Sequence, residues 1–278
     1  MLKKKSSKLL ALLVASTVVF GFAGCGKASS ASANAGTTKQ ETKVDKIKKA
    51  GKLVLGTSAD YPPYEFHKSV DGKDEIVGFD VEIAKEIAKD LGVKLEIKDM
   101  DFKGLLNALD AGNIDIVLAG MTPTPEREKS VDFSNIYYKA EQKVVVRAED
   151  KDKIKVADDL KGKKLGVQKG SIQEDIAKNQ LPGAEAQALG KISDIVLALN
   201  TKKYDAAIIE GPVATSYVNA NKNLVIADLK LKTEDAGSAA AVKKGNKDLV
   251  DAINKTLERL TNEKTIDKFV TDANKLVE

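Results

Sequence analysis

Residues 79–119 read FDVEIAKEIAKDLGVKLEIKDMDFKGLLNALDAGNIDIVLA, and this stretch decides the fold. Phe79, Ile83, Ala84, Ile87, Ala88 and Leu91 recur at helical spacing, and Gly92 stops the helix. Leu95–Lys98 then reads as a strand, Phe102–Leu109 as a helix ended by Gly112, and Ile114–Ala119 as a buried strand. Immediately upstream, Leu53–Thr57 (LVLGT) is a second buried strand. The β-α-β-α-β series predicts an α/β fold built on a parallel sheet.

The series repeats downstream. Lys143–Arg147 is extended, and Lys164–Val167 is a strand followed by a helix from Ser171. Ala184–Leu189 leads to a helix over Ser193–Leu199, and Asp205–Ile209 to a helix over Val213–Asn219. Asn223–Ala227 and Gly237–Val242 are extended; Val250, Ile253, Leu257 and Leu260 share one helical face, and a last helix covers Thr265–Val277. Two such halves predict two lobes, each a β-sheet flanked by helices. Residues 46–142 plus 235–278 are assigned to the first and 143–234 to the second, joined by crossovers near 140–146 and 232–240. Ligands of such sheets sit beyond the carboxyl ends of the strands, which places a cleft between the lobes.

The N-terminus reads differently. Residues 1–8 are basic and residues 9–24, LLALLVASTVVFGFAG, are apolar and too short for a comfortable membrane span, so residues 1–24 read as a secretory signal. Phe22-Ala23-Gly24-Cys25 resembles a lipobox, with phenylalanine where leucine is usual, and implies that Cys25 becomes a diacylated N-terminus. Cys25 is the only cysteine, so no internal disulfide forms. The polar, small-residue stretch that follows makes residues 25–45 a flexible tether. Charge excludes one class of partner. Without the four lysines of the leader, 41 basic residues face 41 acidic ones, which offers a nucleic acid no net attraction.

Enzyme signatures are sparse. A single histidine, His67, in the polar stretch EFHKSVDGKD, reads as solvated, and no phosphate loop or nucleophile elbow follows a strand. The stretch with most chemistry is Ala119–Ser134, AGMTPTPEREKSVDFS. Thr124, Pro125 and Glu126 suit the start of a helix, which puts Arg127 in its first turn, beside Thr122 and Gly120 at a strand end. An arginine there presents a planar fork to a carboxylate; pairing with Glu126 or Glu128 on the surface is the alternative from chemistry alone. Ser171-Ile172-Gln173-Glu174 has the pattern of a capping box, and a helix N-terminus attracts carboxylates.

Gly78-Phe79-Asp80-Val81-Glu82-Ile83-Ala84, Ala119-Gly120-Met121-Thr122, Thr124-Pro125-Glu126-Arg127, Phe133-Ser134, Gly166-Val167-Gln168-Lys169-Gly170-Ser171 and Asp205-Ala206-Ala207-Ile208 together resemble the polar amino-acid-binding proteins of ABC importers. This is extracellular solute-binding protein family 3, and the chain looks nearest to Gram-positive arginine- and glutamine-type lipoproteins. The resemblance implies a two-lobed, periplasmic-binding-protein-like fold of type II. It implies capture of a polar amino acid by hinge closure and delivery to a membrane permease, with the protein a monomer on the extracytoplasmic face of the membrane, without cofactor, metal or catalytic residue. It further implies that Arg127 holds the ligand carboxylate with Thr122 and the N–H groups near Ser171 and Ile172. Glu210, where relatives carry aspartate, would meet the ammonium; a solvated strand end is its alternative. Tyr61 and Phe102 match the aromatic clamp, with core packing the alternative for Phe102; Tyr64 reads as core. Ser58 and Gln168 stand where relatives read the ligand side chain. Arginine is the expected ligand and glutamine the second. The rivals are a secreted prephenate- or arogenate-type dehydratase on this fold, for which no dedicated acid is evident, and a sensing module, for which no span or signalling helix follows.

Overall fold

A computed structural model describes residues 41–232 and 237–277. The leader, Cys25 and the tether up to residue 40 lie outside the described residues. Helix α1 (Lys43–Ala50) starts inside the stretch assigned to the tether, because Thr42 and Asp45 form a reciprocal cap. The chain continues through β1 (Lys52–Thr57), β2 (Asp60–Tyr61), β3 (Glu65–Val70), β4 (Lys73–Val77), α2 (Phe79–Leu91), β5 (Lys94–Asp99), α3 (Leu105–Asp110), β6 (Ile116–Val117) and β7 (Val131–Lys139). It goes on with β8 (Gln142–Arg147), β9 (Lys164–Gln168), α4 (Ile172–Gln180), β10 (Glu185–Leu189), α5 (Ile192–Asn200), β11 (Ala206–Glu210), α6 (Gly211–Ala220) and β12 (Leu224–Ile226). The last elements are β13 (Gly237–Lys243), α7 (Lys247–Asn262) and α8 (Thr265–Val277).

Two five-stranded sheets carry two lobes. The first has the order β5-β1-β6-β13-β7 and the second β10-β9-β11-β8-β12. The chain passes from one to the other between β7 and β8 and returns between β12 and β13. Both sheets are mixed. β1 runs parallel to β5 and β6, while β13 is antiparallel to β6 and β7. β9 runs parallel to β10 and β11, while β8 is antiparallel to β11 and β12. The parallel part is where apolar runs alternate with helices; the antiparallel strands are those on which the chain changes sheet.

Several expectations change. β7 was not foreseen, since its burial does not alternate with period two and its ladder with β13 carries register shifts. The polar stretch around His67 is not a loop: β3 and β4 form a hairpin turning at Asp71-Gly72, and β2 extends it to a three-stranded sheet. His67 lies on β3 between Asp74, at 2.8 Å, and Asp99, at 3.4 Å. The helix expected from Thr124 shrinks to one 3₁₀ turn at Arg127–Lys129, ended where β7 begins. Pairing within IDIVLA is confined to Ile116–Val117, although Leu118 and Ala119 stay buried.

The first lobe's sheet buries Leu53, Leu55, Phe79, Ile83 and Ile87 on one face and Leu105, Leu109, Val117 and Met121 on the other. Val144, Val146, Leu165, Val167 and Ile208 form a core of the second. Apolar burial on this scale, at about 25 cal/mol per Å² removed from water, is the main force holding both lobes. Among the described residues no helix is long and apolar enough to cross a membrane.

Candidate functional site

The carboxyl ends of β1, β6, β9 and β11 bring a set of polar groups to one cavity. Nine of the ten residues singled out from sequence line it: Tyr61, Phe102, Gly120, Thr122 and Arg127 from the first lobe, and Gln168, Ser171, Ile172 and Glu210 from the second. Ser58 does not; it is buried beneath, with its hydroxyl 3.4 Å from Asp60 Oδ1. Ala119, Gln142 and Gln173 complete the lining. Gln142 was legible in principle, as the polar residue opening an apolar strand, and the β8–β11 register sets it directly across from Glu210.

The cavity has an anionic end. Glu210 is the last residue of β11, where the chain turns into α6, and it is 5% exposed. Its carboxylate does not cap that helix. Instead Tyr64 donates to Oε1 at 2.7 Å and Tyr61 to Oε2 at 3.0 Å. Burial pushes its pKa up to about 7, against the pull of the two hydroxyls. Tyr64, read as core from sequence, is fully buried yet reaches the site through its hydroxyl. Tyr61 is more an orienting group than a free clamp: its ring lies against Gly120, where an added Cβ would come within 2.9 Å. Gly120 also has φ +55°, so glycine is required there twice over.

The cationic end is Arg127. Its Nη1 donates to Thr122 O at 2.6 Å and its Nη2 to Gly170 O at 2.9 Å, so it spans the two lobes. The backbone N–H of Arg127 donates to Thr124 Oγ1, so Thr124 caps the short turn. The Phe102 ring faces the guanidinium, 5.4 Å from Cζ to centroid, while its edge joins the core with Leu105 and Met121. Burial lowers the Arg127 pKa to about 10, with Asp175 opposing. The guanidinium remains cationic at neutral pH and is poorly hydrated, which suits it to an anionic partner. Surface pairing with Glu126 or Glu128 is not what the structure shows; Glu126 pairs with Lys129 instead.

The capping box at Ser171 does not form. Ser171 Oγ donates to Gln168 O at 2.6 Å, and Glu174 accepts from Gly170 N at 2.6 Å instead of from the cap residue. The α4 N-terminus is therefore left without a side-chain cap, and Ser171, Ile172 and Gln173 of its first turn line the cavity. Gln173 Nε2 donates to Gln142 Oε1 at 2.8 Å, while Gln173 Oε1 and Gln168 Nε2 are buried without a partner. An unpaired acceptor and an unpaired donor in a closed polar cavity are groups that a polar ligand can satisfy. No group of three His, Cys, Asp or Glu side chains among the described residues could hold a metal ion.

The pattern of the family described as bacterial extracellular solute-binding proteins, family 3, matches residues 53–272. The arginine-binding extracellular protein ArtP of Bacillus subtilis (strain 168) is 42% identical over 267 residues, 94% of this chain and 96% of ArtP. The crystal structure of the amino acid ABC transporter substrate-binding protein AbpA from Streptococcus pneumoniae Canada MDR_19A, bound to L-arginine, superposes with a TM-score of 0.82 at 41% identity. That match covers 84% of this chain and 98% of AbpA. An ancestral arginine-binding protein bound to glutamine gives a TM-score of 0.73 at 42% identity, covering 79% of this chain and 96% of that one.

Proposed function

We propose, for a chain that belongs to family 3 of the bacterial extracellular solute-binding proteins, that the cleft captures a free amino acid, arginine first and glutamine second, for an ABC importer. One observation carries the reading: a buried cation, Arg127, and a buried anion, Glu210, line the same cavity. That is the complement of an amino-acid zwitterion. Arg127 takes the carboxylate with the Thr122 region and the amides near Ser171 and Ile172. Glu210, held by two tyrosine hydroxyls, takes the ammonium. Gln168 and Gln173 offer the donor and acceptor left for the rest of the ligand. The order of ligands rests on the relatives, two of which are named for arginine and one of which holds glutamine.

Hinge closure follows from the two chain crossings. A ligand that touches both lobes favours the form in which they meet, and the closed form docks on the permease. We assign residues 43–141 with 235–278 to one lobe and 142–234 to the other, bounds moved from the expected 46, 142 and 143 so that neither α1 nor β8 is split. Cys25 carries the lipid that keeps the protein at the extracytoplasmic face of the membrane, and the protein acts as a monomer.

The enzyme reading gains one candidate from the structure. Glu210, buried and titrating near neutrality, is the kind of group that protonates a leaving group. Two tyrosine donors favour its anion, which suits binding. A thermal-shift screen of the twenty amino acids, followed by calorimetry, tests the proposal: a ligand at 100 times its Kd stabilises by about 2.7 kcal/mol. Arginine should give the largest shift. No shift with any amino acid, or turnover of prephenate or arogenate, would overturn it.

A further inference from the structure

We propose that Glu65 and Asp80 form a buried acid–carboxylate pair that shares one proton and positions the Gly120 wall of the cleft. The inference rests on the reading of Gly120 as part of the ligand site.

Backbone geometry makes the pair. Gly78, at φ +132°, lies so close to the preceding hairpin that a Cβ there would fall 2.1 Å from Tyr64 O and 2.9 Å from Glu65 Cα. Phe79 N and Asp80 N donate to Pro63 O and Tyr64 O, both at 3.0 Å. The start of α2 is thereby stapled to the start of β3, and the Glu65 and Asp80 side chains are both 0% exposed. Asp80 Oδ2 accepts from Gly120 N at 3.0 Å and from Tyr137 Oη at 2.8 Å. Asp80 Oδ1 and both Glu65 oxygens have no donor.

Two carboxylates cannot both stay charged in such a place. The titratable groups facing Glu65 are Asp80, Asp60 and Glu210, with Tyr61 and Tyr137 beside it, and none is a cation. One proton removes one charge and supplies the missing donor in a single step. It resides on Glu65, because the two donors on Oδ2 make Asp80 the better anion. Burial, then the Asp80 charge, pushes Glu65 well above the usual carboxylate range. Burial raises Asp80 to about 6 against the opposing pull of Gly120 N and Tyr137. The charged Asp80 then grips the Gly120 amide, holding it at the left-handed φ against the Tyr61 ring.

A raised folded pKa means that the native state holds a proton the unfolded chain releases above about pH 4.5. The stability from Glu65 is full below that value and is lost as pH rises towards the folded pKa. Glu65→Gln tests this, since its amide donates a hydrogen bond to Asp80 without titrating. Three results are expected. The carboxylic-acid carbonyl band that the wild type keeps above about pH 8, where Glu210 and Asp80 are ionised, is absent from Glu65→Gln. The fall in stability between pH 5 and 8 loses about one proton's worth of slope. The Kd for L-arginine stays within about threefold, while Asp80→Asn, which weakens the grip on Gly120, raises it about five- to tenfold. A band that persists in Glu65→Gln, an unchanged slope, or a greater than tenfold loss of arginine affinity in Glu65→Gln would overturn the proposal. The first two readouts need no ligand. If wild type bound no amino acid but the band and slope changed as stated, the pair would stand and the reading of the cleft would fall.

Discussion

At the scale of single residues, Glu210 and Arg127 show what burial does to a charge. Glu210 titrates near 7, chiefly because it is buried. An ammonium beside it would pull that value back down, so binding below about pH 7 releases a proton. Affinity should rise with pH through about 7 and flatten above it. Calorimetry at pH 6.5 in buffers of differing ionisation enthalpy should report this release, and Glu210→Gln should abolish it. Equal heats across buffers would exclude Glu210 as the ammonium partner. Arg127 is held by two carbonyls from opposite lobes. Arg127→Ala should therefore cost on the order of 2–5 kcal/mol of arginine affinity and also loosen the closed form. Arg127→Lys should recover little, since a point charge cannot make two parallel bonds. Argininamide, which lacks the carboxylate charge, should lose much less on the same Ala substitution. Equal losses for acid and amide would place the carboxylate elsewhere.

Whole elements meet across the cleft through their ends. Helix α5 begins at Ile192 with no side-chain cap of its own. Asp60, from β2 of the other lobe, accepts the Ser193 N–H at 3.1 Å, and Tyr217 on α6 donates to the Asp60 carbonyl at 2.9 Å. The cap of α5 is thus completed only when the lobes meet. Asp60→Ala should cost about 0.5–2 kcal/mol of affinity, typical of a lost cap, for arginine and glutamine alike, because Asp60 lies outside the cavity lining. Calorimetry gives the losses and small-angle scattering the closed fraction. A loss confined to one ligand would mean that Asp60 reads the side chain. Ser171 follows the same logic in reverse. A capping box was legible in Ser171-Ile172-Gln173-Glu174, but its hydroxyl turns back to Gln168 O, because the tight turn after β9 offers a nearer acceptor.

For the whole molecule, the anchor and the hinge are the testable features. Cys25→Ser should move the protein from the membrane fraction to the medium; retention at the membrane would rule out lipid attachment at that residue. The order of elements was legible because it is local: apolar periodicity and glycine stops placed α2 and α8 at the bounds the structure shows, Phe79–Leu91 and Thr265–Val277. Arg127 and Thr122 were legible for a related reason, since polar residues just past a buried strand have few places to go but a cleft; Gln168 was implied only by the family resemblance. What only the tertiary structure decided is which groups share a dry space. β7 carries no alternation to announce it, because its bulged ladder with β13 and the packing of both its faces override period two. Tyr64 sits 146 residues from Glu210, and Glu65 faces Asp80 only because Gly78 lets two backbone segments touch. A carboxyl's charge depends on water and neighbours, and neither is written in the order of residues; the fold supplies both, and so assigns the protons.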